Sequence, residues 1–520
     1  MSSIGRIYKV TTYGESHGLT IGAIVENFPS NFKIDKKFIQ HQLNRRKPGQ
    51  SILINTNRKE EDIVEIHSGI ENDVSLGTPI LLLIKNKDQR PQDYAENCIN
   101  KKIDKNCALK SLINLTPRPG HADLVYLNKY GIKSSSGGGR SSARETAARV
   151  AAGALAETFL KHKYNINIFS FVRSVGNIEL NKIYLTNLNK NISLNLNRDN
   201  VDYLGSFNIF FLDNQSIYIE KLFYNKFELI FLLNVYLNKL YFVVKNVHNI
   251  EDVKIKELDI DDFKKNNYFK LDINNTKLNI VCLNFKYTEF EKSKDINSII
   301  AINISVNSET LDNVCSLEFV LLENINIRSI DPITSIKMIL NIIQTKKEKD
   351  SLGGILTCVI ENIPKTLGEP CFDKLEAELA KAMLSIPSTK GFEIGSGFEG
   401  TKLKGSNHND MNYYNCNNKI NNNELCEYKS SLKSSTNYAG GVLGGISSGE
   451  TLYFNVAFKP VSTIGIPQLT CNYNNETNLL ENKGRHDPCV VNRAVPIVES
   501  MSAIVILDLV LLQNSRLFCN

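Results

Sequence analysis

The chain has 520 residues, enough for one large core or several ordinary ones, so neither disulfide nor metal staples are required. Its formal charge of +6, from 61 basic and 55 acidic residues, is too slight to mark a nucleic-acid binder without a concentrated basic stripe. The 11 cysteines show no CxxC pair and no Cys/His spacing of the zinc type, which predicts reduced, mostly structural thiols and no metal site. The start, Met-Ser-Ser-Ile-Gly-Arg, lacks an apolar signal core. The most apolar stretches, 229–244 and 503–512, are interrupted by Asn234, Asn238, Lys239 and Asp508. The expectation is a soluble, cytoplasmic protein with no membrane and no nucleic-acid partner.

Along the chain, 1–184, 328–405 and 435–520 have the mixed composition of a folded enzyme. Between them, 185–327 and 406–434 are crowded with asparagine and read as insertions. The second is short and polar, which predicts a disordered loop, because so little apolar surface cannot offset the entropy of ordering. The first carries the aromatic run FNIFFLDNQSIYIEKLFYNKFELIFLLNVYLNKLYFVV, which predicts partial order as strands and a helix.

Within the core stretches, a helix opens after Gly137-Gly138-Gly139-Arg140. Ser142 and Glu145 predict a capping box, and Ala147, Val150, Ala151, Ala154, Leu155, Thr158 and Phe159 recur at helical spacing. Small residues on that face predict close helix packing. A strand over 355–360, a helix over 373–385, a strand over 451–458 and a helix over 493–512 follow. Strands and helices are interleaved, so the fold class is α/β or α+β.

Gly-Gly-Gly-Arg-Ser-Ser (137–142) sets glycines, an arginine and two hydroxyls at a helix start, where unpaired amides and the helix dipole favour an anion; the alternative is a glycine-rich turn with an ordinary cap. Arginines recur in Arg45-Arg46-Lys47-Pro48-Gly49, Pro117-Arg118-Pro119-Gly120-His121, at Arg144, and in Gly484-Arg485-His486-Asp487-Pro488. Singly each reads as a solvated charge; together they predict a polyanionic ligand. Gly14-Glu15-Ser16-His17-Gly18 sets a hydroxyl beside an imidazole, and His121 lies in an arginine loop, so both histidines are candidate proton donors. Asp487 is a candidate base or a turn residue. GESHG is not the GxSxG elbow, which argues against a serine hydrolase. Gly440 to Gly449, GGVLGGISSG, predicts a close backbone approach to a ring or phosphate, or a tight packed turn.

Read in order, YGESHG, RRKPGQS, DQRPQDY, RPGHAD, KYGIKSSSGGGRSSARETAARVAAGA, GEPCFDKLEAELAKAMLSIPSTKGFEIGSGF, AGGVLGGISSG, KPVSTI and KGRHDPCVVNRAVPIVE resemble the signature stretches of the chorismate synthase family. The resemblance covers the chain except the two asparagine-rich stretches and the last few residues. It implies an α+β fold, the family's β-α-β sandwich, usually a homotetramer. The implied activity is a carbon–oxygen lyase reaction of the shikimate pathway. This is an anti 1,4-elimination that converts 5-enolpyruvylshikimate 3-phosphate to chorismate on reduced FMN without net redox change.

By the same resemblance His17 protonates the departing phosphate with Ser16 assisting, His121 protonates or hydrogen-bonds the anionic reduced flavin, and Asp487 helps flavin N5 accept the C6 proton. Arg46, Arg118, Arg144 and Arg485 hold the substrate's phosphate and carboxylates. Arg140, Ser141, Ser142, Pro387, Ser388, Gly444, Lys459, Pro460, Val461, Ser462 and Thr463 match flavin-contact positions, and Arg485 serves both ligands. Ile52 stands where the family usually has a basic residue, leaving Lys47 or Arg58 as substitutes. Two other readings accompany this one: an enzyme that also reduces its own FMN with NADPH, and an inactive flavin-binding scaffold.

Overall fold

The computed structural model describes residues 2–56, 58, 60–87, 116–132, 134, 137–212, 227–234, 239–246, 253–259, 269–273, 276–287, 299–308, 311–414, 432–482 and 486–516. The chain forms two compact units, one of Met1–Val201 with Ile336–Asn520 and one of Asp202–Ser335.

In the first unit two five-stranded antiparallel sheets enclose a helical layer. One sheet runs Ser3–Ile4, Lys9–Tyr13, Thr20–Glu26, Ile80–Lys85, Val64–Ile66 in spatial order; the other runs Thr389–Ile394, Leu452–Phe458, Gly354–Glu361, Asn167–Val175, Ile178–Glu179. The alanine-rich helix Thr146–Tyr164 packs on the first sheet and against Val491–Arg516, which packs on the second. This is the β-α-β sandwich that the resemblance implies.

The close approach of the two helices follows from sequence. Ala147, Ala148, Val150, Ala151, Ala152 and Ala154 are fully buried. A Cβ added at Gly153 would lie 2.3 Å from Ser500 Cβ, so only glycine lets the backbones meet there. Val491–Arg516 is long and apolar enough to cross a membrane by length and composition, yet 89% of its most apolar window is buried within the fold, where it serves as a core helix.

The helix start differs from the predicted capping box. Two 3-10 turns, Gly139–Ser141 and Ala143–Glu145, precede Thr146. Ser142 Oγ accepts from Arg144 N at 3.3 Å, while Glu145 pairs with Arg149 at 2.8 Å instead of reaching back. The tighter turns draw Glu145 away from the cap. At the other end Asn165, with φ 56, closes the helix in the left-handed conformation.

The first unit also includes 185–201, a stretch assigned to the insertion on composition. Leu188 and Val201 are buried there, and Arg198 donates to Glu499 at 3.1 Å and to Ile168 O at 3.0 Å. Part of the stretch predicted to be disordered is ordered as well: Gly405–His408 is a short helix, and Asn412–Tyr414 pairs with Leu432–Ser434. Asp410 anchors it by accepting from Tyr438 N at 2.8 Å, Ala439 N at 2.9 Å and Thr436 Oγ1 at 2.7 Å. Residues 415–431 lie outside the described set.

The second unit holds an eight-stranded antiparallel sheet, in the order Val253–Asp259, Lys239–Asn246, Phe227–Asn234, Ser206–Leu212, Leu311–Asn326, Ile299–Ser308, Thr276–Tyr287, Phe269–Ile273. Strands were expected here; the helix expected beside them is not among the described residues of 206–326.

Candidate active site

In the first unit, a cavity of about 470 Å³ opens where loops of both sheets meet the N-terminal ends of the two core helices. Ser16, His17, Arg46, Arg118, His121, Ser141, Ser142, Arg144, Pro387, Ser388, Lys459, Val461, Ser462, Thr463 and Asp487 all line it. Residues that lie far apart in sequence are therefore brought to one site.

Ser16 and His17 occupy the turn after the strand Lys9–Tyr13. Gly18 N donates to Glu15 O at 3.1 Å, and Asn86 Nδ2 donates to Gly18 O at 2.7 Å and to Glu15 O at 3.2 Å. The glycine loop closes over this pair. At Gly137, where φ is +63, a Cβ would sit 2.8 Å from His17 Nε2 and 3.2 Å from Ser16 Oγ; at Gly138 it would sit 3.4 Å from His121 Cε1. Consecutive glycines thus touch the two candidate imidazoles. Ser16 Oγ is buried and finds no hydrogen-bond partner among the described residues, so it is available to a ligand.

His121 is held by charge. Its Nδ1 lies 3.0 Å from Asp123 Oδ1, and Arg118 donates to the same carboxylate from Nε at 2.8 Å and from Nη2 at 3.0 Å. Burial alone would push the Asp123 carboxyl up, but hydrogen bonds from His121 and Arg118 outweigh it and hold it well below the usual carboxylate range.

Arg46 and Arg144 share one buried carboxylate, Asp62, each donating to a different oxygen. Arg144 Nε also donates to Asn86 Oδ1 at 2.8 Å, which links the arginine to the His17 turn. Burial pushes Asp62 up, yet Arg46 and Arg144 bring it below its ordinary value. Burial lowers Arg46 to about 10 against the pull of Asp62, with Arg144 and Arg493 adding repulsion. Asp487 accepts from Thr56 N at 3.0 Å and pairs with Arg493, which itself donates to Arg46 O at 3.1 Å. Lys459 Nζ donates to Gly120 O at 2.7 Å and to Ser462 Oγ at 2.8 Å, fixing the rim.

Three expected residues are placed elsewhere. Arg140 donates to Gly14 O at 3.0 Å and to Thr12 Oγ1 at 2.6 Å, and lines a neighbouring cavity of about 880 Å³ on the far side of the glycine loop. Gly444, in the hairpin formed by Val442–Leu443 and Ile446–Ser447, is not among the lining residues, and neither is Pro460. The adjoining glycines make a packed turn: a Cβ at Gly440 would meet Gly395 N at 2.4 Å. Arg485 lies outside the described residues.

Ile52 is exposed and away from the cavity, whereas Arg58 lines it. Arg493, Asp62, Asn86 and Asp123 were not singled out from sequence. Asp62 ends the acidic run Glu60-Glu61-Asp62, which reads as a solvated face, and Arg493 reads as the start of an apolar helix.

The chain matches known proteins along nearly its whole length. A family model described as chorismate synthase matches residues 8–214 and 291–511. The chorismate synthase of Schizosaccharomyces pombe is 38% identical over 517 residues, covering 99% of this chain and 98% of the relative. That of Saccharomyces cerevisiae is 37% identical over 518 residues, covering 100% and 98%. One from Prochlorococcus marinus (strain MIT 9312) is 36% identical over 515 residues, covering 99% and 98%. A crystal structure of a chorismate synthase superposes with a TM-score of 0.51 at 22% identity, covering 98% of this chain and 93% of that one, and supports the shared fold. The signature stretches, the sandwich and these matches together make the chain a member of the chorismate synthase family, a carbon–oxygen lyase.

Proposed function

We propose that the 470 Å³ cavity takes reduced FMN together with 5-enolpyruvylshikimate 3-phosphate, and that the chain releases phosphate and chorismate by anti 1,4-elimination without net redox change. The observation that carries this reading is the pair of imidazoles packed against one glycine loop, surrounded by Arg46, Arg58, Arg118, Arg144 and Arg493. Such a preorganised positive field suits a substrate with a phosphate and two carboxylates.

The residues fit a flat, phosphorylated cofactor. Ile386, Pro387, Phe458 and Val461 offer apolar wall, while Ser141, Ser142, Ser388, Lys459, Ser462 and Thr463 offer hydroxyls and an ammonium to hold it. A side chain at Gly137 would press on His17, with its Cβ 2.7 Å from Cδ2, and one at Gly120 would crowd Ser462 Oγ at 3.4 Å, so glycine at both keeps the wall in place. The chemistry such a group supplies when bound is electron density, lent as the C–O bond breaks and recovered as the C6–H bond breaks.

The protein manages charge and protons. His17, as a proton donor, neutralises the leaving phosphate, with Ser16 Oγ beside it to relay the proton. Arg46 and Arg144, oriented by Asp62, hold the anionic groups. His121, acting as a proton donor through Nε2, offers a hydrogen bond to the anionic ring of the reduced cofactor. Asp487, fixed by Thr56 N and Arg493, offers a carboxylate that assists the removal of the C6 proton. The same reading makes the enzyme a cytoplasmic homotetramer, to be tested by sedimentation and fractionation.

The test is release of phosphate and chorismate under anaerobic conditions with chemically reduced FMN. His17→Ala is expected to lower kcat by about 10²–10⁴-fold with the fold intact. Normal turnover by that variant overturns the role of His17. Repeating the assay aerobically with NADPH and oxidised FMN asks whether the chain reduces its own cofactor: product there means that it does.

A further inference from the structure

We propose that Asp123 is a positioning residue, which fixes the neutral ring of His121 as the Nδ1–H tautomer and so leaves Nε2 to exchange protons in the cavity. The inference rests on the catalytic reading of His121 given above. Three contacts decide it. His121 Nδ1 lies 3.0 Å from Asp123 Oδ1 and 3.1 Å from Arg118 Nη2, and that same Nη2 lies 3.0 Å from Asp123 Oδ1.

The guanidinium can only donate and an ionised carboxylate can only accept. A proton on Nδ1 gives both N–H groups one acceptor, Oδ1, and makes the Nδ1 to Nη2 approach a contact between two donors. A lone pair on Nδ1 would instead face the carboxylate oxygen and leave it repelled at 3.0 Å. The carboxylate is kept ionised by the second arginine bond, Nε to Oδ2 at 2.8 Å, and is itself nearly buried, with its side chain 8% exposed.

Asp123 begins the helix Asp123–Tyr130, and the backbone N–H of Arg118 in the preceding loop donates to its Oδ2 at 3.4 Å. The chain 118–123 therefore folds back on itself so that arginine, imidazole and carboxylate form a triangle, with Arg118 and His121 both lining the cavity. A carboxylate behind an imidazole orients it and stabilises its cationic form without itself taking a proton.

The experiment uses protein labelled with ¹⁵N-histidine and free of FMN, with the His121 signal assigned by its loss in His121→Asn. In the wild type the neutral ring is expected as the Nδ1–H tautomer. Asp123→Asn is expected to lose that preference and to lower kcat by about 10²-fold with the substrate KM within about twofold. Asp123→Glu is expected to recover most of both. An Nε2–H tautomer in the wild type overturns the proposal, whatever the variants do. So does Asp123→Asn with an unchanged tautomer, or with unchanged kcat and raised KM, which would make Asp123 a support for Arg118 alone. Normal turnover by His121→Asn would instead remove the catalytic reading of His121, while the tautomer measurement would still stand on its own.

Discussion

Arg45 and Arg46 are neighbours in the helix Lys36–Arg46, both nearly fully buried, yet they serve different networks. Successive helical residues point about 100° apart, so the pair diverges. Arg45 donates to Glu499 at 2.5 Å and to Gln42 at 2.8 Å. Glu499 also accepts from Ser170 N at 3.0 Å and from Arg198 Nε at 3.1 Å, and Arg198 pairs with Glu157. Among the described residues that network sets two arginines against two glutamates inside the sandwich. Arg46 belongs to a different one. Among the described residues five arginines and Lys459 line the cavity, against Glu60 and Asp487 in the wall and Asp62 and Asp123 behind it. The Nε of Arg46 finds no partner among the described residues. A balanced network holds the fold, and a network with surplus positive charge among the described residues suits the anionic ligand proposed above.

The sharpest way to break this contrast is Arg144→Ala. It is expected to lower kcat/KM by about 10²–10³-fold, as removal of a preorganised donor does. Chemical denaturation should show some loss as well, because Asp62 and Glu60 lose a buried partner, although Asp62 keeps Arg46. A variant that unfolds while the remaining folded enzyme turns over normally would put Arg144 in the structural class. Next comes the reverse experiment, Arg45→Met. Breaking a buried pair costs about 3–5 kcal/mol. The lower end is expected because Arg198 still compensates Glu499; activity per folded molecule should be unchanged. A smaller effect is expected from Arg46→Lys, which keeps the charge and loses the planar fork. Substrate KM should rise by roughly tenfold with kcat nearly intact.

What the sequence makes legible divides along similar lines. The helix expected over 373–385 is observed as Leu375–Leu384, and the one over 493–512 as Val491–Arg516, because periodicity reports burial directly. Ser16, His17, His121 and Asp487 are brought to one cavity because the motifs that carry them are turns whose glycines and prolines are legible. The residues behind the site are not. Asp62 and Asp123 matter through a three-dimensional pairing that no local pattern announces, and Arg140 sits beside the expected glycines but turns to Thr12 and Gly14. Abundant asparagines around Leu188 and Val201 also conceal two core positions.

The subtlest separation of the two networks is by acid. Burial raises Glu157 above its ordinary value of 4.5, with Glu499 adding repulsion and Arg198 opposing. The folded state then binds that proton more readily than the unfolded state, so acidification towards 4.5 is expected to stabilise the fold through Glu157. Asp62 has the opposite sign. Burial pushes it up, but Arg46 and Arg144 hold it below its ordinary value of 3.8. Its contribution is complete above 3.8 and is lost as pH falls through the lower folded value, where the unfolded state binds more protons. Denaturation measured from neutral pH downward should show the gain removed in Glu157→Gln and the acid loss reduced in Asp62→Asn. If both variants changed the same limb in the same direction, the distinction between a balanced structural network and a positively charged cavity network would fail on its electrostatics. The two arginines would then differ only in position.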